Sequence, residues 1–144
     1  MLPGVALAGV ALIGATARPQ DDAVATRQAA FRMSGAVFGS MKAAIHRGDD
    51  VKTLAFAAKA LASWAHALPG VFPAGSGGAG SDALPAVWSD RAGFEKDAAQ
   101  YAAEADRLSV LAAAGDTAGF AAQLTVVGGT CGACHAAYKA ADKP

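Results

Sequence analysis

Residues 120–138 read FAAQLTVVGGTCGACHAAY. Phe120, Leu124, Val127, Cys131, Cys134 and Tyr138 recur at alternating steps of four and three, which places them on one face of an α-helix. Gly115-Asp116 precedes the segment, and Asp116 suits an N-cap. That face carries the only two cysteines of the chain, within Cys131-Gly132-Ala133-Cys134-His135, nine residues before the C-terminus. Two thiols one turn apart, followed at once by an imidazole, have the spacing that attaches a c-type haem. The thiols can bond the two vinyl groups of one porphyrin, and the next side chain can reach its iron. The other ring nitrogen of His135 would then face solvent or a hydrogen-bond partner that tunes its basicity.

Three further helices follow from the same periodicity. Phe94, Ala98, Tyr101, Ala105, Leu108 and Ala112 form a stripe behind an N-cap at Ser89-Asp90. Val51, Leu54, Ala58, Leu61 and Ala65 form another, opened by Asp49 or Asp50 and stopped at Leu68-Pro69. The first helix opens at Asp21-Asp22, carries Arg27, Phe31, Ser34, Phe38, Met41 and Ile45 on one face, and closes at Arg47-Gly48-Asp49. No segment reads as a strand. Four amphipathic helices in 144 residues predict one all-α domain, a four-helix bundle. Abundant alanine lets the helices approach closely and leaves room for a flat cofactor. Residues 69–88 are rich in Gly, Pro and Ser and read as a flexible crossing loop. Gly75 to Gly80 formally match G-x-G-x-x-G, but no strand precedes them, so the match carries no dinucleotide-binding meaning.

Leu2 to Ile13 is a small apolar run too short to span a bilayer, followed by Ala15-Thr16-Ala17 and then Arg18-Pro19. No Lys or Arg precedes the run. We read residues 1–17 as a secretory signal peptide and residues 18–144 as the mature domain. After cleavage the chain would hold no membrane-inserting segment, and export to the periplasm suits a c-type haem. Lysine plus arginine number 12 against 12 acidic residues, all after Ala17. That balance, without a basic run, argues against a nucleic-acid partner and against strong steering of a charged one.

Other chemistries fit the motif less well. A thioredoxin-like pair needs a βαβ setting. A zinc site needs more ligands than His46 and His66 provide from distant helix ends. A disulfide across two intervening helical residues has poor geometry. Trp64 and Trp88 read as core or interface aromatics.

The C-terminal CGACHAAYK, the segment Ala86-Val87-Trp88-Ser89-Asp90, the Ala67-Leu68-Pro69 stop and Arg27-Gln28 together make the chain resemble the four-helix-bundle cytochromes c′ over essentially all of its mature length. The resemblance implies a haem c, one per chain, inside a left-handed antiparallel bundle. It places Arg27 by the haem propionates, where its planar fork suits carboxylates. It places Phe31 on the open side of the iron and Lys139 close to the proximal ligand. It implies a homodimer formed through the first two helices. The exposed face of the first helix, with Ala30, Met33, Val37 and Ala44, offers a small-residue seam. Relatives often place an aromatic immediately after the proline matching Pro69, whereas this chain reads Gly70-Val71-Phe72.

Phe31 decides the mechanism. In low-spin relatives a methionine on the first helix is the sixth ligand, and phenylalanine has no lone pair to give. Met33 lies about 200° around the helix from Phe31, and Met41 about 15 Å along it. The expectation is a five-coordinate, high-spin iron behind an apolar pocket that admits nitric oxide or carbon monoxide, with electron transfer to an unidentified redox partner also open. A six-coordinate electron carrier of the same fold is the alternative, and a haem-free bundle that binds zinc or a protein is a third. No catalytic acid–base pair is evident, so the chain reads as a binding protein and not an enzyme.

Overall fold

The computed structural model describes residues 19–141, so the expected signal peptide lies outside the described residues. Helix α1 spans Pro19–Arg47. A 3-10 turn at Val51–Leu54 leads into α2, Ala55–Ala67. A second 3-10 turn, Leu68–Val71, opens the long loop, which contains the short helix α3, Ala86–Ser89. Helices α4, Arg91–Ala114, and α5, Thr117–Tyr138, complete an antiparallel four-helix bundle. Among the described residues the only β-type pairing is a single bridge between Ala83 and Lys139.

The helix starts are chemically marked. Asp90 accepts a hydrogen bond from Gly93 N–H, and Asp116 accepts one from Gly119 N–H, so each carboxylate satisfies an amide left without a helical partner. Asp50 does the same for Lys52 N–H, but its turn tightens into a 3-10 helix before α2 begins. Between α4 and α5 the reversal takes two residues, and Gly115 adopts the left-handed conformation that ends α4.

The expected stripes face the core. All six stripe residues of α4 are buried, and in α5 Phe120, Leu124, Val127 and Tyr138 are too. Alanines alternate with the large side chains, with Ala105 and Ala112 at 0% exposure, so α4 packs closely against its neighbours. The stripe of α1 differs: Arg27 and Met41 are buried, but Phe31, Ser34, Phe38 and Ile45 are half-buried. The proposed seam on the outer side of α1 needs correction. Ala44 is buried, and Val37 packs against the core. Met33 alone of the four is fully exposed, and the larger apolar exposure is Phe56 on α2.

The long loop is held in place rather than loose. Arg91 donates to the carbonyls of Phe72 and Pro69 at 3.0 and 2.9 Å, and Trp88 Nε1 donates to Pro73 O at 2.9 Å. Leu84 N–H donates to Tyr138 O, and Ala140 N–H to Asp82 O, which stitches the chain after α5 to the loop. Sequence composition shows how freely such a segment can bend, but not which side chains will pin it.

Candidate functional site

A cavity of about 510 Å³ lies inside the bundle, bordered by α1, α2, α4, α5 and the loop. Cys131, Cys134 and His135 all border it, as do Arg27, Phe31 and Lys139. Every site residue expected from the sequence therefore falls on one cavity.

The α5 wall carries the two thiols, which are free and half-buried. Burial pushes the Cys131 thiol above its usual range. Burial, then the charge of Asp97 and then that of Cys131, pushes Cys134 up to about 11. Both sulfurs are thus held as neutral thiols toward an apolar space. His135 follows on the exposed side of the same turn and still borders the cavity. Lys139 is not a helical neighbour of His135 in the ordinary sense. It caps α5 in extended conformation, while its N–H still donates to His135 O.

The α1 wall is aromatic. The Phe31 ring meets Trp64 edge-on with centroids 5.2 Å apart and lies 6.1 Å from Phe72. Phe72 in turn contacts Phe94, and Phe94 contacts Tyr138, so one chain of rings runs from α1 to the end of α5. The 3-10 turn Leu68–Val71 swings Phe72 inward to 6% exposure, so an aromatic reaches the cavity although it stands three residues after Pro69. Lower on α1, the Phe38 ring sits against Gly128, where a Cβ would come within 3.2 Å of it. Phe38 and Gly128 border both the main cavity and a smaller one of about 290 Å³ between α1 and α5.

Arg27 is 3% exposed and fully engaged. It donates to Ser76 Oγ, Ser76 O and Ser81 Oγ at 3.1, 2.8 and 2.6 Å, and its guanidinium lies 4.9 Å from the Phe72 ring centre. Gln28 adds a bond to Gly80 O. Burial lowers the guanidinium pKa, yet the group stays charged, and its fork closes the glycine-rich loop over the aromatic wall. The resemblance places Arg27 near a carboxylate, whereas its hold on the loop joins residues 49 and 54 positions apart.

The walls fit a largely apolar group. The buried part of the lining is largely apolar and includes Leu61, Leu68, Phe72, Val87, Phe94 and Tyr101, and the exposed part includes Arg32, Asp82 and His135. Trp64 Nε1, on the same wall, is buried and has no hydrogen-bond partner among the described residues. Buried donors are rarely left so, and an acceptor on the group filling the cavity would satisfy it. Two thiols one turn apart and an adjacent imidazole supply the attachment chemistry. Among the described residues no cluster of His, Cys, Asp or Glu could hold a bare metal ion, and His66 is occupied at the surface with Asp106 at 2.9 Å. Two thiols and an imidazole on the wall of an aromatic cavity within an antiparallel bundle define a c-type haem protein.

Comparison with known proteins narrows the class. The family model described as Cytochrome C' matches residues 22–139. A cytochrome c′ of Rubrivivax gelatinosus is 38% identical over 82% of this chain and 94% of its own length. A cytochrome c-556 of Agrobacterium tumefaciens (strain B2A) is 34% identical over 81% and 95%. Two variants of cytochrome c prime from Alcaligenes xylosoxidans, one a nitric oxide complex and one with carbon monoxide bound, are 30% identical and superpose with TM-scores of 0.79 and 0.78, covering 85% of this chain and 97% of theirs. The chain belongs to the cytochrome c′ family, and its cofactor is covalently attached haem c.

Proposed function

We propose that the protein is an exported, homodimeric cytochrome c′ whose haem iron is five-coordinate and high-spin, binding nitric oxide or carbon monoxide and exchanging single electrons with a redox partner. Cys131 and Cys134 hold the porphyrin through thioether bonds, and His135 is the axial ligand. Arg27 and Lys139 complete its surroundings from the loop and proximal sides. When bound, the haem supplies an iron that changes between ferric and ferrous states and offers a coordination position to a small ligand.

The observation that carries this reading is the cavity position of Phe31. It stands on the α1 wall among Trp64 and Phe72. No methionine is among the described residues that border the cavity: Met33 is 70% exposed, and Met41 is buried in the core. A side chain without a lone pair cannot complete six-coordination. The aromatic wall also disfavours charged ligands, since moving an ion into an apolar space is costly, while neutral diatomics pay little. The gas complexes of the Alcaligenes relative support the same ligand class. Met33 on α1 and Phe56 on α2, 70% and 85% exposed, support association through the first two helices. No helix among the described residues is long and apolar enough to cross a membrane.

The test is substitution at Phe31 in the holoprotein. Phe31→Met is expected to shift the spectrum toward six-coordinate low spin. Phe31→Ala is expected to speed carbon monoxide binding by tenfold or so, as removal of a steric block worth about 1.4 kcal/mol would. If neither variant alters spin state or kinetics, Phe31 does not stand over the iron.

A further inference from the structure

Asp97 is an acidic residue on an otherwise largely apolar and aromatic wall. It lies on α4 one turn after Phe94 and one turn before Tyr101, both buried, so it faces the cavity with them. Among the described residues its carboxylate has no hydrogen-bond or ion-pair partner. Asp97 is half-buried and borders the cavity, so its charge acts directly on whatever fills that space. The helix register places it. The Phe94 ring meets Tyr138, with centroids 5.4 Å apart, and the two helices run antiparallel. A step of one turn into α4 matches a step of one turn back along α5, which brings Asp97 level with Cys134 and His135. Its charge contributes to raising the Cys134 thiol and the Tyr138 phenol, consistent with that level.

We propose that Asp97 sets the reduction potential of the attached haem: its fixed negative charge, beside the Cys134-His135 turn, favours the ferric over the ferrous state. Reduction brings one electron from an external one-electron donor to this site. A neighbouring carboxylate opposes that arrival more strongly across a largely apolar wall than it would in water. Of the other charged groups bordering the cavity, Arg27 is bonded to the loop, Arg32 and Asp82 are exposed, and Lys139, half-buried one turn past His135, carries the opposite sign and acts in the opposite sense. The proposal rests on the assignment of Cys131, Cys134 and His135 made above.

The test is a spectroscopic redox titration of the holoprotein with mediators, for the wild type and for Asp97→Asn, Asp97→Ser, Asp97→Glu and Asp106→Asn. Intact mass under denaturing conditions reports covalent haem in each sample. Asp97→Asn and Asp97→Ser are expected to raise the midpoint potential, changing the ferrous-to-ferric ratio at the wild-type midpoint by about tenfold, as loss of one unit charge near a partly buried site would. Asp97→Glu is expected to restore the wild-type value. Asp106→Asn removes the same charge from an exposed position and is expected to leave the potential in place. A midpoint unchanged in Asp97→Asn or Asp97→Ser, or an equal shift in Asp106→Asn, overturns the proposal. Loss of haem in both neutral variants but not in Asp97→Glu also overturns it, because Asp97 would then serve attachment. Wild-type protein without covalent haem would contradict the earlier assignment instead.

Discussion

The two sides of the cavity are built differently. On the α4–α5 side the stripe residues are buried almost throughout, and an alanine ladder brings the helices close. On the α1 side, Phe31, Ser34, Phe38 and Ile45 are only half-buried, because the inner face of α1 borders space rather than a helix. The first side is a packed platform that carries the two thiols. The second is a half-buried aromatic wall held by Arg27 and the loop. On the function proposed above, attachment falls to the first side, where sulfurs are held at one spacing, and ligand entry to the second, beside Phe31.

The sharpest way to break the comparison is to remove the anchors. Cys131→Ala with Cys134→Ala is expected to abolish covalent haem entirely, seen as loss of haem colour from the denatured polypeptide. Haem that stays covalent would mean the platform is not where attachment occurs.

Phe94→Ala attacks the platform's packing. Phe94 is 2% exposed and touches Phe72 and Tyr138, so its loss is expected to destabilise the holoprotein by about 3–5 kcal/mol. Chemical denaturation followed in the Soret band measures it. A loss below about 1 kcal/mol would mean that the ring cluster is not a core element.

Arg27→Lys acts on the aromatic wall. It keeps the charge but loses the fork that reaches Ser76 and Ser81, so about 1–2 kcal/mol of local stability should go. Hydrogen exchange is expected to speed up in residues 75–82 and to stay unchanged in α4. Equal changes in both would contradict the division into two sides.

Gly128→Ala probes the junction. An added Cβ meets the half-buried Phe38 ring at 3.2 Å, and because that ring can shift, the cost is expected to stay below about 1.5 kcal/mol. A loss as large as that of Phe94→Ala would show Phe38 clamped.

Periodicity made much of this legible. The six-residue stripes of α4 and α5 turned inward as their spacing required, and Asp90 and Asp116 capped their helices. The short segments were not legible: neither 3-10 turn nor α3 is long enough to show a period. Arg27 could be placed at the cavity, but nothing local ties residue 27 to Ser76 or Ser81, which lie 49 and 54 positions away. Phe72 reached the wall through a turn whose geometry the composition of the loop conceals. Asp97 is different. It keeps step with Phe94 and Tyr101, so the helical pattern already put it on the inner face, where a charge is out of place.

The proposed five-coordinate iron beside Phe31 is open to direct measurement. The absorption spectrum of the periplasmically matured holoprotein, taken oxidised, reduced, and reduced under carbon monoxide, tests it most directly. A broad high-spin reduced Soret band that sharpens and shifts under carbon monoxide is the expected result. Sharp low-spin bands indifferent to carbon monoxide would contradict it, for a sixth protein ligand would then occupy the position that Phe31 leaves open.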